Sequence, residues 1–309
     1  MSLPRYVPPL IGLAAAIVAF LLPHPITMNG IGIGDIGPPI VGMAQFLHGA
    51  SPYMVAVRAG RVAAYPFTTM LVLSPFLVVP LRLVATTFCG LVSFALAEAI
   101  RRNGAPWQLL LFATPSYVSA LHSVQWSPLM TAALLAPALL PFAVVKPQLG
   151  IALVAAGRWS WRSAIAAASF VLLSIAIFPR WPWIWLKQGS LNTYLGRPPF
   201  LIGPGILLLA SAYAWRRWRG RCVLAMSIVP QRFFYDQLLL FVAPTSVWQM
   251  ALMLATSWTA VVVSLAAGWW IPQSGDQNPL AWIAVVLGFH LPAAAIVVWN
   301  ERRRPTSVP

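Results

Sequence analysis

Apolar segments separated by short polar connections recur through the whole chain. Most segments are roughly 15–20 residues long, close to the ~20 residues that an α-helix needs to cross a bilayer. This pattern predicts an all-α, polytopic integral membrane protein of about ten to twelve helices. The predicted segments are residues 8–22, 62–81, 83–100, 107–121, 129–145, 149–156, 164–178, 201–215, 223–229, 238–250, 252–270 and 280–299.

Several of these segments are too short to cross a bilayer as straight helices. We expect the short ones to be tilted, broken or re-entrant, because irregular backbone is tolerated within a membrane only where protein or a cavity covers it. Many of the 29 prolines lie in or beside apolar segments, where each removes a backbone hydrogen bond and predicts a kink. The break at Lys146-Pro147 differs from the others because it also carries a charge.

The first 61 residues are predicted to form a helix followed by a long outer loop. Residues 8–22 are apolar, and no small-residue cleavage site follows them, so we expect an uncleaved first helix rather than a signal peptide. Residues 23–61 form the predicted outer loop, in which residues 39–49 form a short helix that lies in the membrane interface. The whole chain, residues 1–309, is predicted to be one transmembrane domain.

The composition excludes an ordinary soluble protein. Hydrophobic residues make up 60% of the 309 residues and charged residues only 8%, against about half and about a quarter in a typical globular chain. The net charge of +15 does not indicate a nucleic-acid partner, because most cations lie in clusters between apolar segments, as in cytoplasmic loops of membrane proteins. We therefore expect a multi-pass protein of the plasma (inner) membrane, in contact with membrane lipids. The clusters are Arg158 and Arg162, the four arginines from Arg216 to Arg221, and Arg302 to Arg304.

Neither the cysteines nor the histidines form a pattern typical of a metal site. Cys89 and Cys222 lie in or beside apolar segments, and the four histidines are dispersed without ligand spacing. We expect no cofactor. A divalent metal held weakly by acids of the outer face stays an open alternative.

Asp35 is the first acid of the chain and follows the glycine-rich stretch NGIGIG. The stretch is not a nucleotide-binding loop, because no strand–helix unit is predicted around it. Its glycines instead indicate tight turns and a close approach of the backbone to a ligand. Asp35 is either the N-cap of the short helix that follows or a catalytic carboxylate, and the residues alone leave both interpretations open.

A series of short motifs follows Asp35 in order. A G-x-S-P-Y turn ends at Tyr53, a Y-P pair at Tyr65 begins the second helix, and proline–aromatic and proline–leucine pairs lie within that helix. Further along stand V-Q-W-S around Gln125, K-P-Q-L from Lys146, and a Tyr-Asp pair. In this order the motifs resemble glycosyltransferase family 87, of the GT-C branch that uses polyprenyl-phosphate sugars. Where this chain has V-Q-W-S, the family has G-Q-x-N.

The resemblance implies a GT-C-like fold and an inverting sugar transfer. The donor would be a sugar, mannose being the first candidate, on a polyprenyl phosphate, and the acceptor a hydroxyl of a lipid or glycan, both at the extracytoplasmic face. Asp35 would be the general base. The residues implied to bind the donor phosphate are Lys146, Arg232 and Arg197, and those implied to bind sugar or acceptor are Asp236, Tyr235, Tyr53, Gln148 and Gln125.

Other interpretations stay open beside this one. Arg232 and Asp236 also fit a simple ion pair. The chain also fits a transporter or flippase of lipid-linked sugars, which predicts inverted repeats and polar residues at mid-bilayer, although no clear repeat is found in the sequence. A non-catalytic GT-C-like membrane partner is the third interpretation.

Overall fold

Most of the chain that the computed structural model describes is helical. The described residues are 3–25, 27–28, 30–53, 65–190, 197–230, 234–268 and 279–303. Contacts divide the chain into two units. The first consists of Met1–Asn103, Ala120–Gly150 and Trp159–Thr193, and the second of Gly104–Ser119, Ile151–Arg158 and Tyr194–Pro309.

The first unit contains α-helices, short 3₁₀-helices and one small hairpin. Its α-helices are Val7–Leu21, Gly37–Leu47, Phe67–Leu73, Leu81–Asn103, Ser127–Leu135, Trp161–Ile177 and Trp181–Ser190, and its 3₁₀-helices are Gly34–Ile36, Ser74–Val78 and Pro137–Val145. The strands Thr27–Met28 and Ile31–Gly32 pair antiparallel, with Thr27 opposite Gly32. This hairpin is the one departure from the all-α prediction among the described residues of the unit.

Small residues bring the first helix close to Leu81–Asn103. A Cβ atom on Gly12 would lie 3.0 Å from the Cβ of Phe94, and one on Gly90 would lie 3.2 Å from the Cβ of Ala16. Close approach through small residues is a common way for apolar helices to pack, because it maximises van der Waals contact between backbones. The pair is therefore tightly packed despite its weak amphipathic pattern.

At its far end, Leu81–Asn103 carries the ion pairs that its sequence spacing predicts. Glu98 accepts hydrogen bonds from Arg101 at 2.6 Å and from Arg102, at the i,i+3 and i,i+4 spacings that place side chains on one helix face.

The second unit is built from the remaining helices. Its α-helices are Trp218–Ile228, Val247–Ala266, Pro279–Val285 and Leu291–Arg302, its 3₁₀-helices are Pro106–Ala113, Pro199–Leu201, Gly203–Ala214 and Phe234–Val242, and a π-helical turn covers Val286–His290. The α-helices Pro115–Ser123 and Pro147–Ala156 each run from one unit into the other. The π-helical turn contains Gly288, which contacts the helix Val247–Ala266. Thr256 Oγ1 of that helix donates a hydrogen bond to the Gly288 carbonyl at 2.9 Å.

Several helices are long and apolar enough to cross a membrane. Among the described residues these are Leu81–Asn103, Val247–Ala266 and Leu280–Arg302, and a fourth span results if Trp161–Ile177 and Trp181–Lys187, bent by 94°, are taken together. The prediction of an α-helical membrane protein is thus supported in its general form. The other predicted segments are shorter or broken helices.

Prolines explain where the predicted segments break. Residues 129–145, expected as one helix, form the α-helix Ser127–Leu135 and the 3₁₀-helix Pro137–Val145, because the ring of Pro137 stops the preceding helix. Residues 107–121 likewise divide at Pro115. The expected helix 238–250 is instead a 3₁₀-helix to Val242 and a new α-helix from Val247.

Candidate functional site

Three polar residues from distant parts of the sequence meet in the first unit. The amide of Gln125 donates a hydrogen bond from Nε2 to Oδ2 of Asp35, and Lys146 Nζ donates to Oε1 of the same amide at 3.2 Å. Gln125 and Lys146 are each 1% exposed, whereas Asp35 is half-buried. The network therefore runs from a half-buried acid to a buried amide and a buried ammonium.

The chemistry of the three groups fixes which way the Gln125 amide points. A lysine ammonium carries only donors, so it bonds the amide oxygen and turns the NH₂ group toward Asp35. The carbonyl oxygen of Ser123 accepts a second hydrogen bond from the same NH₂ group, at 3.3 Å from Nε2. The positive charge on one side and the negative charge on the other polarise the amide in the same direction, which strengthens both bonds.

A glycine at positive φ lets the Asp35 turn approach the Gln125 turn. Gly34 has φ +57°, and a Cβ atom there would lie 2.6 Å from the carbonyl oxygen of Ser123 and 2.6 Å from Cγ2 of Val124. Glycine adopts this φ without steric cost and leaves room for the neighbouring backbone. The glycine-rich stretch thus makes a close backbone approach, here to another turn of the chain.

The turn that presents Gln125 is itself unusual. The helix Pro115–Ser123 ends in Val124, which has φ 53°, and Gln125 N donates to the carbonyl of Ala120 at 2.9 Å. A left-handed residue in this position is a common helix ending, but it is normally a glycine. A buried β-branched residue held at positive φ is a local strain of the kind found at functional sites.

Threonines hold the segment that carries Lys146. Thr68 Oγ1 donates to the carbonyl of Val144 at 2.8 Å, and Thr69 Oγ1 donates to that of Val145. These bonds supply donors to the last carbonyls of the 3₁₀-helix. The Lys146 carbonyl accepts from Gly150 N at 2.8 Å, which is the first hydrogen bond of the next helix. The broken helix predicted at Lys146-Pro147 is therefore present, with the lysine side chain turned into the unit.

A buried histidine ties the first helix to the Gln125 turn. The ring of His24 lies with Nδ1 2.8 Å from the carbonyl oxygen of His122 and with Nε2 2.8 Å from that of Ala19. A neutral ring can donate one of these bonds, and an imidazolium can donate both. Burial, and then the nearby charge of His24, lower the pKa of His122 below its ordinary value.

Asp35 does not occupy the cap position of the short helix. The helix Gly37–Leu47 has Ile36 at its N-cap, without a side-chain cap hydrogen bond, whereas the Asp35 carboxylate accepts from Gln125. The short helix itself is present as predicted, and Ile40 and Met43 on it are buried.

Tyr53 packs in an aromatic cluster of the same unit. It is 1% exposed, lies among Met43, Phe67, Met70 and Trp181, and its ring is 6.5 Å from that of Phe178. Burial raises the pKa of Tyr53 above its ordinary value. The described contacts of Tyr53 are those of a core residue, and its predicted role in binding sugar or acceptor stays a prediction.

The other predicted site residues are placed as follows. Gln148 is half-buried in the first turn of Pro147–Ala156. Tyr235 and Asp236 are buried in Phe234–Val242 of the second unit, and Arg197, also of that unit, is exposed. Arg232 lies outside the described residues. Their roles stay predictions.

Sequence reasoning missed the two threonines that hold the segment of Lys146. Thr68 and Thr69 are two hydroxyl residues within an apolar segment, and that polar pair was the available signal. For Gly34, the glycine-rich stretch predicted a tight turn and a close backbone approach to a ligand, not to another turn of the chain. Within the part of the chain that the structure describes, no three His, Cys, Asp or Glu side chains form a group that could hold a metal ion.

Comparison with known proteins gives no relative. No protein-family model, no curated protein and no solved structure matches the chain. The chemistry of the candidate site therefore rests on its own residues.

Proposed function

We propose that the protein is a membrane glycosyltransferase that transfers a sugar from a polyprenyl phosphate to a hydroxyl of a lipid or glycan acceptor, with Asp35 as the general base. The sugar is mannose in the first instance, and the active site faces the extracytoplasmic side of the plasma membrane. The proposal includes the GT-C-like architecture that the motif order implies.

The observation that carries the proposal is the hydrogen-bonded series Asp35–Gln125–Lys146. Its members are three of the motif residues, and they lie 90 and 21 positions apart in the sequence. A carboxylate of a half-buried residue that is held by a buried amide has the geometry a general base needs, because its orientation is fixed before substrate arrives.

The proposed reaction is a single displacement. The acceptor oxygen attacks the anomeric carbon of the donor sugar from the face opposite the phosphate, and its proton passes to Asp35. The bond between the anomeric carbon and the phosphate oxygen breaks, so polyprenyl phosphate leaves with the electron pair and the configuration inverts. A cation that neutralises the leaving phosphate would lower the barrier further.

Lys146 acts on the base in this proposal. Because its ammonium is buried against Gln125, it balances the charge of Asp35 through the intervening amide and keeps the amide turned toward the carboxylate.

Val124 supports the resemblance on which the proposal rests. The family motif has a glycine at the position of Val124, and this is the position at which the backbone has a positive φ. The backbone conformation is therefore the one that the motif glycine would adopt without strain.

Replacing Asp35 tests the proposed chemistry. The full-length protein, reconstituted in liposomes with radiolabelled polyprenyl-phosphate mannose and a lipid acceptor extract, should form labelled product. Asp35→Asn keeps size and polarity but removes the base, so turnover should fall by roughly 10²–10⁴-fold while donor binding is retained. Glu98→Gln is the matched control, because it neutralises an acid of the same unit whose partners are Arg101 and Arg102.

The same assay separates the alternatives. Equal turnover in Asp35→Asn and wild type would remove Asp35 from the mechanism. Label that crosses the bilayer without product formation would identify a transporter of lipid-linked sugars. Absence of both activities in a folded wild-type protein supplied with donor would contradict the proposal and favour the non-catalytic interpretation.

A further inference from the structure

A second polar region, in the second unit, is strongly basic and is not used by the proposed reaction. Three segments meet there, residues 155–158, 213–221 and 299–303, and their contacts join them into one surface that we call the arginine–aromatic surface. Seven arginines and one acid, Glu301, lie in these segments, which gives them a net charge of +6.

Two arginines of this surface share one tryptophan ring. The Cζ atom of Arg158 lies 5.0 Å, and that of Arg219 4.6 Å, from the ring centroid of Trp218. The two guanidinium groups are therefore within about 10 Å of each other, roughly a Debye length at physiological salt. Two partly buried positive charges at this distance repel each other.

The burial of these arginines adds to that unfavourable energy. Burial lowers the pKa of Arg219, and the positive charge of Arg158 lowers it further. Burial also lowers the pKa of Arg158. Arg219 Nε donates to the carbonyl of Val242 at 2.8 Å, which fixes the guanidinium in place and uses one of its five N–H groups.

Other arginines of the surface have structural partners. Arg221 donates from Nε to the carbonyl of Ala155 and from Nη2 to that of Ala156, both at 2.7 Å, and so caps the end of the helix Pro147–Ala156. Arg217 pairs with Glu301 at 3.3 Å. These contacts order the surface, and they set Arg158 and Arg219 apart as the pair that shares an aromatic ring.

Exposed aromatic residues place this surface at the boundary of a membrane. Tyr213 and Trp215 are each 61% exposed and Trp299 is 51% exposed. Trp299 lies in the last turn of the candidate span Leu280–Arg302, and tyrosine and tryptophan prefer the level of the lipid headgroups. Arg302 lies over the ring of Tyr213 and Arg303 over that of Trp299, so cations and amphipathic rings alternate on this surface.

We infer that the arginine–aromatic surface binds the phosphate headgroups of anionic phospholipids, with Arg158 and Arg219, which share the Trp218 ring, as its principal phosphate site. Guanidinium groups match phosphate oxygens in two-point hydrogen bonds, and basic pockets at the ends of transmembrane helices are suited to anionic headgroups. The bound phosphate relieves the repulsion between the two arginines.

Lipid binding by the full-length protein tests this inference. The protein in neutral detergent micelles is titrated with dioleoyl-phosphatidylglycerol or dioleoyl-phosphatidylcholine, and bound lipid is measured by native mass spectrometry. Wild type should bind the phosphatidylglycerol more tightly, and the double variant R158Q/R219Q should weaken that binding about tenfold. The double variant R82Q/R162Q removes the same charge from exposed arginines of the first unit and should change the affinity less than about twofold.

A second variant keeps the experiment decisive if the first is unstable. R158K/R219K retains both charges but loses planar two-point bonding, so its affinity should lie between those of wild type and R158Q/R219Q. Equal binding of the two lipids, or an equal loss in R82Q/R162Q, would overturn the inference. Displacement of the lipid by an equimolar amount of inorganic phosphate, or tighter binding of a single-stranded RNA at physiological salt, would also overturn it.

Discussion

The contact between the Asp35 turn and the Gln125 turn predicts a specific sensitivity at Gly34. Two features make alanine costly there: φ is +57°, and the new Cβ would meet the carbonyl oxygen of Ser123 and the side chain of Val124 at 2.6 Å. Gly30 shares only the first feature, since its φ is +76° and a Cβ there would meet nothing within 4 Å. Gly34→Ala and Gly30→Ala therefore form a matched pair.

The expected magnitudes follow from the two features. An L-residue in the left-handed region costs roughly 1–2 kcal/mol, which applies to both variants. The overlap with fixed backbone at 2.6 Å adds the cost of overpacking, typically ~1–3 kcal/mol, to Gly34→Ala alone. At roughly 2–4 °C per kcal/mol for a large domain, the Tm of Gly34→Ala should lie about 2–12 °C below that of Gly30→Ala.

Thermal unfolding of the purified variants in one detergent, at one scan rate, measures this difference, because irreversible unfolding makes Tm depend on scan rate. Sugar transfer measured in parallel should fall in Gly34→Ala, since moving the turn separates Asp35 from Gln125, and should be retained in Gly30→Ala. Equal Tm values for the two variants would refute the reasoning, because the close approach of the two turns would then make no contribution.

Two further predictions concern single contacts of the first unit. Burial and the charge of His24 lower the pKa of His122, so the unfolded chain takes up more protons than the folded chain below about pH 6.5, and the Tm should fall as the pH is lowered. The Tm of His122→Asn should fall less over the same pH range. Equal dependence of Tm on pH in the variant and the wild type would contradict the prediction. Trp181→Phe removes the 3.1 Å hydrogen bond from Trp181 Nε1 to Ser174 across the bend between two helices and should cost ~0.5–1.5 kcal/mol. In the same thermal assay Trp183→Phe, at a position 74% exposed, should leave the Tm unchanged, and similar losses in both variants would show that the bond contributes nothing.

The helices that sequence reasoning located best are those without internal proline. The predicted segment 83–100 is found as Leu81–Asn103, and the expected pairing of Glu98 with Arg101 and Arg102 is present. Both depend on local spacing, which is fixed by helix geometry alone. Where proline interrupts an apolar segment, hydropathy shows that the segment is buried but not whether it is α-helical, 3₁₀-helical or broken.

The candidate site was predictable in membership but not in arrangement. Asp35, Gln125 and Lys146 all stood in motifs, and polar groups within apolar segments are conspicuous because burying them unpaired is costly. Which group pairs with which is set by contacts between positions 90 residues apart, and no local pattern contains that information. The sequence predicts that Gln125 binds substrate, and that role stays a prediction; its bonds to the Asp35 carboxylate and the Lys146 ammonium were not predicted.

Backbone and side-chain chemistry place separate demands on residues 124 and 125. The helix Pro115–Ser123 must end sharply for the next side chain to reach Asp35, and the ending requires positive φ at residue 124 whatever its side chain. The next residue must offer a donor to a carboxylate and an acceptor to an ammonium at the same time, and among neutral side chains of this length an amide does both in a fixed direction. A glutamate at position 125 would oppose Asp35, and a leucine would remove the hydrogen bond that Gln125 accepts from Lys146, at a cost of ~1.5–3 kcal/mol. Position 124 therefore accepts a strained valine, whereas replacing Gln125 would separate the Asp35 carboxylate from the Lys146 ammonium.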